Sequence, residues 1–400
     1  MDDETRPAGA RDIDWTLLAP LLAQVVLTHV AVGVMRVTIS YRTVELGLPV
    51  VWLGIISAGF AALPILIALP IGRYIDRGHD AHAAWIGSAV VFLASAGLWL
   101  APDTAAHLLG FTVLLGTGHM FLMAAQQMLT VRSANLRGRD VAFGHFMVAV
   151  SIGQGLGPFI VGLMGGSAAV SRTGPLFAAG LITSLPCLVI AFAIRPMPRK
   201  GLSTNFLAVP VAELLRRPGM LAVLIASVVT VTAGDLLVIY LPLLGAERSI
   251  DASHIGMLLL VRSLAALVAR VFYARLILGV GRMPLTLGST FLGAAAFVLI
   301  AVPWLPVMYV AAVAIGAGLG IASTLTLSGI VEVAPPQARG TAMTLRITGN
   351  RLGLVAMPFV ASLVAAVTGV AGILFLTATS LAACAVGLGA SRRRAGQEAA

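Results

Sequence analysis

Several ionisable side chains stand inside long apolar stretches of this sequence, where each could bind a charged ligand or a proton. They include His29, Arg36, His119, Asp235, Arg262 and Arg351. A charged group is costly in an apolar surrounding and needs a partner or a water-filled cavity. Imidazole takes up a proton near neutral pH, and a guanidinium binds carboxylate or phosphate groups through paired hydrogen bonds. These residue types therefore suggest reversible binding of an ion or a small polar molecule.

The composition indicates what surrounds these residues. Of the 400 residues, 59% are hydrophobic and 10% are charged, whereas soluble proteins are about half apolar and about a quarter charged. Such a chain suits a lipid bilayer, where the outer surface is apolar and the backbone satisfies its own hydrogen bonds. The net charge of +10 comes from basic residues scattered through loops, without the clustered basic surface that nucleic-acid binding needs. The sequence predicts a membrane protein that does not bind nucleic acid.

Twelve apolar stretches are long enough to cross a bilayer, which takes about 20 residues. They are 15–39, 50–72, 83–101, 105–131, 141–165, 175–194, 219–244, 253–278, 284–303, 305–331, 341–367 and 370–390. The longest polar connection separates six from six and contains a short amphipathic segment that ends at Arg217. We predict an N-terminal tail (1–14), a six-helix bundle (15–194), a linker (195–218), a second six-helix bundle (219–390) and a C-terminal tail (391–400).

The short loops indicate the direction of the spans, because Lys and Arg accumulate on the cytoplasmic side. With the N-terminus inside, the inner loops and tails hold 18 basic residues and the outer loops hold 3. The outer three are Arg42, Arg172 and Arg248. We expect a multi-pass protein of the plasma (inner) membrane with both termini and the linker in the cytoplasm.

The two halves of the chain resemble each other at an offset near 200 residues. Gly116, Gly118, Arg139 and Pro158 correspond to Gly316, Gly318, Arg339 and Pro358. His, Asp, Arg, Gln or Asn well inside a span occurs only in spans 1, 4, 5, 7, 8 and 11. Spans 3, 6, 9 and 12 contain none, so every third span is expected at the periphery, in contact with lipid. The predicted fold is an all-α membrane protein with twelve transmembrane helices in two pseudo-symmetric six-helix bundles around a polar interior.

The loop between spans 2 and 3 contains Gly72-Arg-Tyr-Ile-Asp76-Arg77-Gly78. It resembles the signature G-x-x-x-D-R-x-G of the major facilitator superfamily, with the last glycine one residue early. The second half keeps Gly281 and Arg282 of the signature without its acid. The resemblance covers essentially the whole chain and implies the major facilitator fold. It also implies a cytoplasmic latch in which Asp76 and Arg77 contact the start of span 11 and basic inner loops. A turn that only sets topology is the alternative.

Span 5 contains a second motif, Gly153-Gln-Gly-Leu-Gly157-Pro158-Phe-Ile-Val161-Gly162. It resembles the superfamily's antiporter signature G-x-x-x-G-P-x-x-G-G, with Val161 in place of one glycine. The resemblance implies an antiporter, and glycines that only permit close helix packing are the alternative. Proton-linked drug exporters of the superfamily carry an arginine in span 4 where this chain has Thr112, so their coupling scheme does not transfer.

Spans 4 and 10 contain polar stripes that suit a central cavity. His119 and Gln126 lie on one face of span 4, and the equivalent part of span 10 contains Ser323 and Thr326. His119 could bind substrate or a proton, or be hydrogen-bonded in the helix interior. In span 1, His29 lies seven residues before Arg36 on the same face. We predict that these residues contribute to a substrate or proton site.

Arg36 in span 1 and Asp235 in span 7 occupy equivalent positions when the halves are aligned on Tyr41 and Tyr240. Asp235 is the only acid well within any predicted span. We hypothesise an ion pair that closes the outer mouth of the cavity and opens when a proton or substrate intervenes. A permanent packing pair is the alternative.

Arg262 in span 8 and Arg351 in span 11 lie about ten residues from the starts of their spans, near the middle of the bilayer. One interpretation is an anionic substrate held by both guanidinium groups. The other is pairing with helix carbonyls or with Asp235. Arg270 and Arg346 lie nearer the cytoplasm, where we expect one of them to pair with the acid that ends span 10, Glu332.

The resemblance and the polar interior together imply a secondary active transporter that moves a small molecule by alternating access. We expect proton-coupled efflux, and the alternative is import or exchange of small organic anions. Neither G-x-x-x-x-G-K-[ST] nor H-E-x-x-H, G-x-S-x-G or a Cys/His cluster occurs, so neither an ATPase nor an enzyme is expected. We expect no cofactor or metal and a proton gradient as the energy source. The expected partners are a small molecule, anionic in one interpretation, and the lipid around a monomer.

Overall fold

The computed structural model describes residues 12–135, 138–194, 211–335 and 338–398, without the side chains of a few residues in these ranges. The described backbone is helical apart from loops and an isolated antiparallel bridge between Ile13 and Ala134. The helices are α1 (Trp15–Glu45), α2 (Val50–Asp76), α3 (Asp80–Leu100), α4 (Ala105–Arg132), α5 (Arg139–Gly165), α6 (Thr173–Ala193), α7 (Val211–Arg216), α8 (Met220–Glu247), α9 (Ala252–Val271), α10 (Tyr273–Val280), α11 (Arg282–Leu299), α12 (Leu305–Val333) and α13 (Arg339–Glu398).

Helix α13 is interrupted at Gly369, where φ is 69° and ψ is −177°. Glycine adopts a positive φ at little cost because it has no Cβ, so the chain can change direction here. The interruption separates a first arm, 339–368, from a second arm, 370–398. Eleven helices of the described residues are long and apolar enough to cross a membrane, with α13 counted once over an apolar stretch of 46 residues. Its two arms provide two crossings, and the twelve predicted membrane helices are confirmed.

The helices differ from the predicted spans in two places. Predicted span 8 (253–278) is divided, because α9 ends at Val271 and the short helix α10 follows after Phe272. The second arm of α13 continues to Glu398, so residues expected in the C-terminal tail are helical. Most of the predicted linker, residues 195–210, lies outside the described residues.

The start of α1 is attached to the loop between α4 and α5. The carboxylate of Asp14 caps α1 by accepting from the Thr16 amide at 3.0 Å, and the Thr16 hydroxyl also donates to it. These hydrogen bonds to the charged form lower the pKa of Asp14. The backbone amide of Asp14 donates to Ser133 O at 2.7 Å. The first membrane helix is thereby held against the end of α4.

The membrane helices form two bundles, α1–α6 and α8–α13. We call the face where α1 begins and α13 ends the terminal face, and the opposite face the loop face. Helix α3 packs on α4 and α6, and α11 packs on α12 and α13. The second arm of α13 reaches α11, where Leu381 lies near Gly293. Helices α3, α6, α11 and this second arm thus lie at the periphery, as the polar pattern predicts.

The two bundles meet closely in the half of the molecule near the loop face. A Cβ added to Gly256 of α9 would lie 2.3 Å from the Cα of Gly162 in α5. A Cβ added to Gly54 of α2 would lie 2.5 Å from the carbonyl oxygen of Pro358 in α13. Such approaches leave no room for a side chain. Near the loop face, the packing of the bundles therefore depends on glycine at both positions.

The apolar cores follow the same division. Near the loop face one buried cluster spans both bundles and includes Tyr41, Leu237 and Tyr240. Near the terminal face the clusters are separate, with Leu18 in the core of the first bundle and Ile330 in that of the second. The bundles are joined on the loop-face side and diverge toward the terminal face, which leaves a space between them.

Candidate functional site

A cavity of about 550 Å³ lies between the two bundles. Its described wall comes from α1, α2, α4 and α5 of the first bundle and from α8, α9, α12 and the first arm of α13 of the second. Pockets for small molecules commonly have volumes of about 300–1,000 Å³. The cavity can therefore hold a small molecule at the interface on which both bundles act.

An ion pair between Arg36 and Asp235 lies at the loop-face side of this cavity. Nη1 of Arg36 donates to Oδ1 of Asp235, and Nη2 donates to Oδ2 at 2.9 Å. The guanidinium carbon also lies 4.7 Å from the ring centroid of Phe60, a cation–π distance. The side chains of the pair are only 16% and 15% exposed. This bidentate ion pair joins α1 of the first bundle to α8 of the second.

Two histidines of the first bundle face each other in the cavity wall. The ring centroids of His29 and His119 are 5.5 Å apart with the rings nearly perpendicular. Nδ1 of His29 lies 2.9 Å from the carbonyl oxygen of Val25. Both ring nitrogens of His119 are buried and have no hydrogen-bonding partner among the described residues. His119 therefore has unused hydrogen-bonding capacity next to the cavity.

The second bundle contributes four more arginines to the wall: Arg262 and Arg270 from α9, and Arg346 and Arg351 from α13. Nη2 of Arg262 donates to Ser263 Oγ at 3.3 Å, and its buried Nε has no partner in the described chain. Within the same residues Arg346 and Arg351 make no hydrogen bond or ion pair. Direct pairing of Arg262 or Arg351 with Asp235, which was part of one of the two interpretations, is not seen, since that carboxylate is hydrogen-bonded to Arg36.

Two of the polar side chains expected in the cavity lie elsewhere. Nε2 of Gln126 donates to Thr28 Oγ1 at 3.1 Å and faces α1 inside the first bundle. Thr326 lines a separate space of about 150 Å³ between helices of the second bundle. Ser323, by contrast, lines the central cavity. Which residue of each polar stripe along α4 and α12 faces the cavity depends on how the helix is rotated.

The sequence interpretation missed several cavity residues, among them Arg270 and Arg346, which it placed nearer the cytoplasm. Gln127, Gln154 and Asn350 add amide groups to the wall, and Phe60 adds its aromatic ring. Gln154 lies within the glycine motif of span 5, and Asn350 directly precedes Arg351. A polar residue inside an apolar span was the signal available for the three amides, whereas nothing in the sequence distinguishes Phe60 from residues that face lipid.

The glycine motif of α5 contacts two helices. A Cβ added to Gly153 would lie 2.6 Å from the Cβ of His29, and one added to Gly157 would lie 2.9 Å from Val30 O, both in α1. Gly162 faces α9 of the other bundle, and Pro158 borders the cavity. The motif thus packs α5 within its own bundle and across the bundle interface. These contacts show close helix packing by the motif.

The loop signature between α2 and α3 lies at the terminal face. The side chain of Asp76 is outside the described residues, Arg77 is exposed, and Gly72 has no atom within 4 Å of an added Cβ. The acid with a described partner next to this loop is Asp80, the first residue of α3, which is fully buried and lies 3.0 Å from Arg132 Nε at the end of α4. This carboxylate therefore ties α3 to α4 within one bundle.

The second copy of the signature also makes contacts within its own bundle. Arg282, which follows Gly281, lies 2.8 Å from Glu332 and donates to Ser328 Oγ at 2.8 Å. The expectation that Glu332 pairs with Arg270 or Arg346 is wrong. Arg270 instead donates to Ser151 of the first bundle. Glu332 ends α12 beside the start of α11, so Arg282 is nearer than either cavity arginine.

A family model described as Major Facilitator Superfamily matches residues 11–249 and 223–398. The chain belongs to the major facilitator superfamily. It is accordingly a transporter of the multi-pass membrane type and not an enzyme. The predicted membership of this superfamily is confirmed.

Solved structures show the same fold over almost the whole chain. A bacterial homolog of the human lysosomal transporter Spinster is 14% identical with a TM-score of 0.74, and the match covers 96% of this chain and 98% of that one. A D-xylose-proton symporter is 15% identical with a TM-score of 0.75, over 93% and 97% of the two chains. The human organic anion transporter MFSD10 is 16% identical with a TM-score of 0.65, over 94% and 99%. At these identities the similarity shows the fold alone. A search of curated protein sequences finds no match.

Proposed function

We propose that this member of the major facilitator superfamily carries small organic anions across the membrane by alternating access. The observation that supports the proposal is the charge of the cavity, whose described wall contains five arginines and a single acid, Asp235. Because Asp235 is paired with Arg36, the other four guanidinium groups are available to a ligand.

The electrostatic argument follows from the low dielectric constant of the surrounding protein. Like charges that share a cavity repel each other more strongly there than in water, and each buried cation loses hydration. A bound carboxylate or phosphate would offset both effects, and guanidinium groups bind such anions with two parallel hydrogen bonds. His119 can add a hydrogen bond, because both of its ring nitrogens lack a partner in the described residues.

The positions of the bundles suggest how access alternates. The two bundles are in contact on the loop-face side through Gly162 and Gly256 and through the ion pair of Arg36 with Asp235. In the proposed cycle these contacts open and the terminal-face side closes. From the 18 to 3 distribution of basic residues we further propose that the terminal face is cytoplasmic. The protein then lies in the plasma membrane with its cavity accessible from the cytoplasm.

Proton-coupled efflux is a second candidate that two observations favour. Asp235, His29 and His119 line the cavity and can exchange protons. Protonation of Asp235 would remove the charge that holds Arg36 and would weaken closure at the loop face. In addition, the glycine motif of α5 resembles the antiporter signature. Proton-coupled efflux does not require an anionic substrate. The anion carrier does not require a particular coupling ion.

Uptake into proteoliposomes tests both candidates. The probes are carboxylates, sugar phosphates and cationic drugs, each with and without an imposed proton gradient. We expect uptake of anions and at least a tenfold loss with Arg262→Gln or Arg351→Gln, because a hydrogen bond to a charged group contributes about 1.5–3 kcal/mol. Arg172→Gln is the matched control, since Arg172 is exposed at the loop face. Uptake of cations alone, or equal activity of all three variants, would contradict the anion proposal. Uptake that a proton gradient leaves unchanged would exclude proton coupling.

A further inference from the structure

The four cavity arginines that make no ion pair with a described acid form two levels. Arg262 and Arg270 are eight residues apart on α9, which corresponds to about 12 Å along the helix axis. Arg346 and Arg351 are five residues apart on the first arm of α13, or about 8 Å. Helix α9 runs from the loop face to the terminal face, and the first arm of α13 runs the other way. Arg262 and Arg351 therefore lie nearer the loop face, and Arg270 and Arg346 nearer the terminal face.

Contacts with α5 give the same order. A Cβ added to Gly155 would lie 3.2 Å from the Cβ of Ser263, the neighbour of Arg262. Arg270 reaches Ser151, whose Oγ accepts from Nη1 at 2.9 Å. Ser151 lies about one helical turn from Gly155 toward the terminal face. We call Arg262 and Arg351 the loop-side pair, and Arg270 and Arg346 the terminal-side pair.

Each pair has hydrogen-bonding capacity left for a ligand. A guanidinium carries five N–H donors. In the loop-side pair the described contacts of these donors are limited to one 3.3 Å hydrogen bond from Arg262 to Ser263. In the terminal-side pair Arg270 uses one donor for Ser151, and Nε of Arg346 is buried without a partner in the described residues. An anionic group at the level of one pair leaves the other level uncompensated.

We propose that the substrate is an elongated organic dianion, with one anionic group at the loop-side pair and the other at the terminal-side pair. This inference rests on the proposed function as an anion carrier. A cavity of about 550 Å³ is much larger than one carboxylate requires. Both pairs belong to the second bundle, so the two anionic groups of one rigid ligand can bind the same bundle. The dianion offsets charge at both levels, which a monoanion cannot do.

The experiment measures how well a series of straight-chain dicarboxylates protects the purified full-length protein against thermal unfolding in detergent. The series comprises butanedioate, hexanedioate, octanedioate and decanedioate, and each diacid is compared with its monomethyl and dimethyl esters. The variants are Arg270→Gln with Arg346→Gln, which removes the terminal-side pair, and Arg172→Gln as the control. We expect octanedioate or decanedioate to bind at least tenfold more tightly than its monomethyl ester and than butanedioate.

The double variant separates a binding role from a structural one. We expect it to bind the long diacid and the monomethyl ester equally, with the affinity that the wild type has for the monomethyl ester. Equal binding of diacid and monomethyl ester by the wild type, or tightest binding of butanedioate, would overturn the two-level dianion and leave the anion carrier standing. If no diacid or monomethyl ester binds better than the neutral dimethyl ester, the anion carrier itself is wrong.

Discussion

The pair of Arg36 and Asp235 allows a quantitative test of how the cavity is closed at the loop face. Asp235→Asn removes the negative charge with almost no change in shape and leaves Arg36 without its ionic partner. Loss of one member of a fully buried pair costs about 3–5 kcal/mol. Here the side chains are 16% and 15% exposed, and Phe60 still contacts the guanidinium. We therefore expect closure to weaken by about 1.4–2.8 kcal/mol, a shift of about 10- to 100-fold in favour of the open loop face.

A cysteine at Val238 reports this shift. Val238 lines the cavity three residues beyond Asp235 on α8, in the direction of the loop face. The label is a membrane-impermeant maleimide added from the loop face, in a background where Cys187 and Cys384 are replaced by alanine. We expect Asp235→Asn to raise the labelling rate of Val238→Cys at least tenfold.

Two further variants decide what the result means. Arg42→Gln breaks loop-face ion pairs with Glu45 and Asp103 that lie within the first bundle, so labelling should remain at the wild-type rate. The exchange Arg36→Asp with Asp235→Arg restores an ion pair and should slow labelling again. Wild-type labelling in Asp235→Asn, or an exchanged pair that labels as fast as Asp235→Asn, would refute closure by direct pairing.

Three other variants test the packing and the site. Gly256→Leu puts a side chain where a Cβ alone would lie 2.3 Å from Gly162, so the same loop-face label should react faster, and an unchanged rate would contradict tight bundle contact there. Asp80→Asn removes the buried partner of Arg132 and should lower the free energy of unfolding by about 2–4 kcal/mol; an unaltered denaturation midpoint in detergent would show that the pair contributes little. His119→Ala should weaken binding of transported anions about tenfold with a normal unfolding midpoint, because its ring nitrogens have no partner in the described chain. Wild-type affinity in that variant would remove His119 from the site.

Several features of the fold could be predicted because they depend on local composition. A membrane helix must be apolar over about 20 residues, so each span is visible as a separate stretch. The four peripheral helices are all spans without ionisable groups well inside them, because a charge that faces lipid is costly. The repeat placed Arg36 level with Asp235, and in the structure these side chains share two hydrogen bonds. Equivalent helices of two similar bundles present equivalent positions to the interface between them.

Rotation of individual helices could not be predicted. Gln126 and Gln127 are adjacent in the sequence, yet Gln126 faces α1 and Gln127 faces the cavity. Consecutive residues of an α-helix differ by about 100° in direction. In a soluble helix the polar face marks the solvent side, but lipid and the protein core are both apolar. A stripe of mixed polarity therefore does not show which of two neighbouring residues faces the cavity.

Partners of charged residues likewise depended on the packing of distant helices. Glu332 pairs with Arg282 and not with a cavity arginine, and the acid with a described partner next to the loop signature is Asp80. Ion pairs form between whichever side chains the packing brings within about 4 Å, and sequence spacing does not measure that distance across helices.

The sequence by itself determined the number of membrane helices, their peripheral or central position and the presence of arginines in a polar interior. The physical reason is that the bilayer imposes these limits on each helix separately. Only the tertiary structure decided that Arg262, Arg270, Arg346 and Arg351 share one cavity wall. The described part of that wall contains a single acid, Asp235, which is paired with Arg36. That balance of charge is a property of eight helices packed together, and no single span carries it.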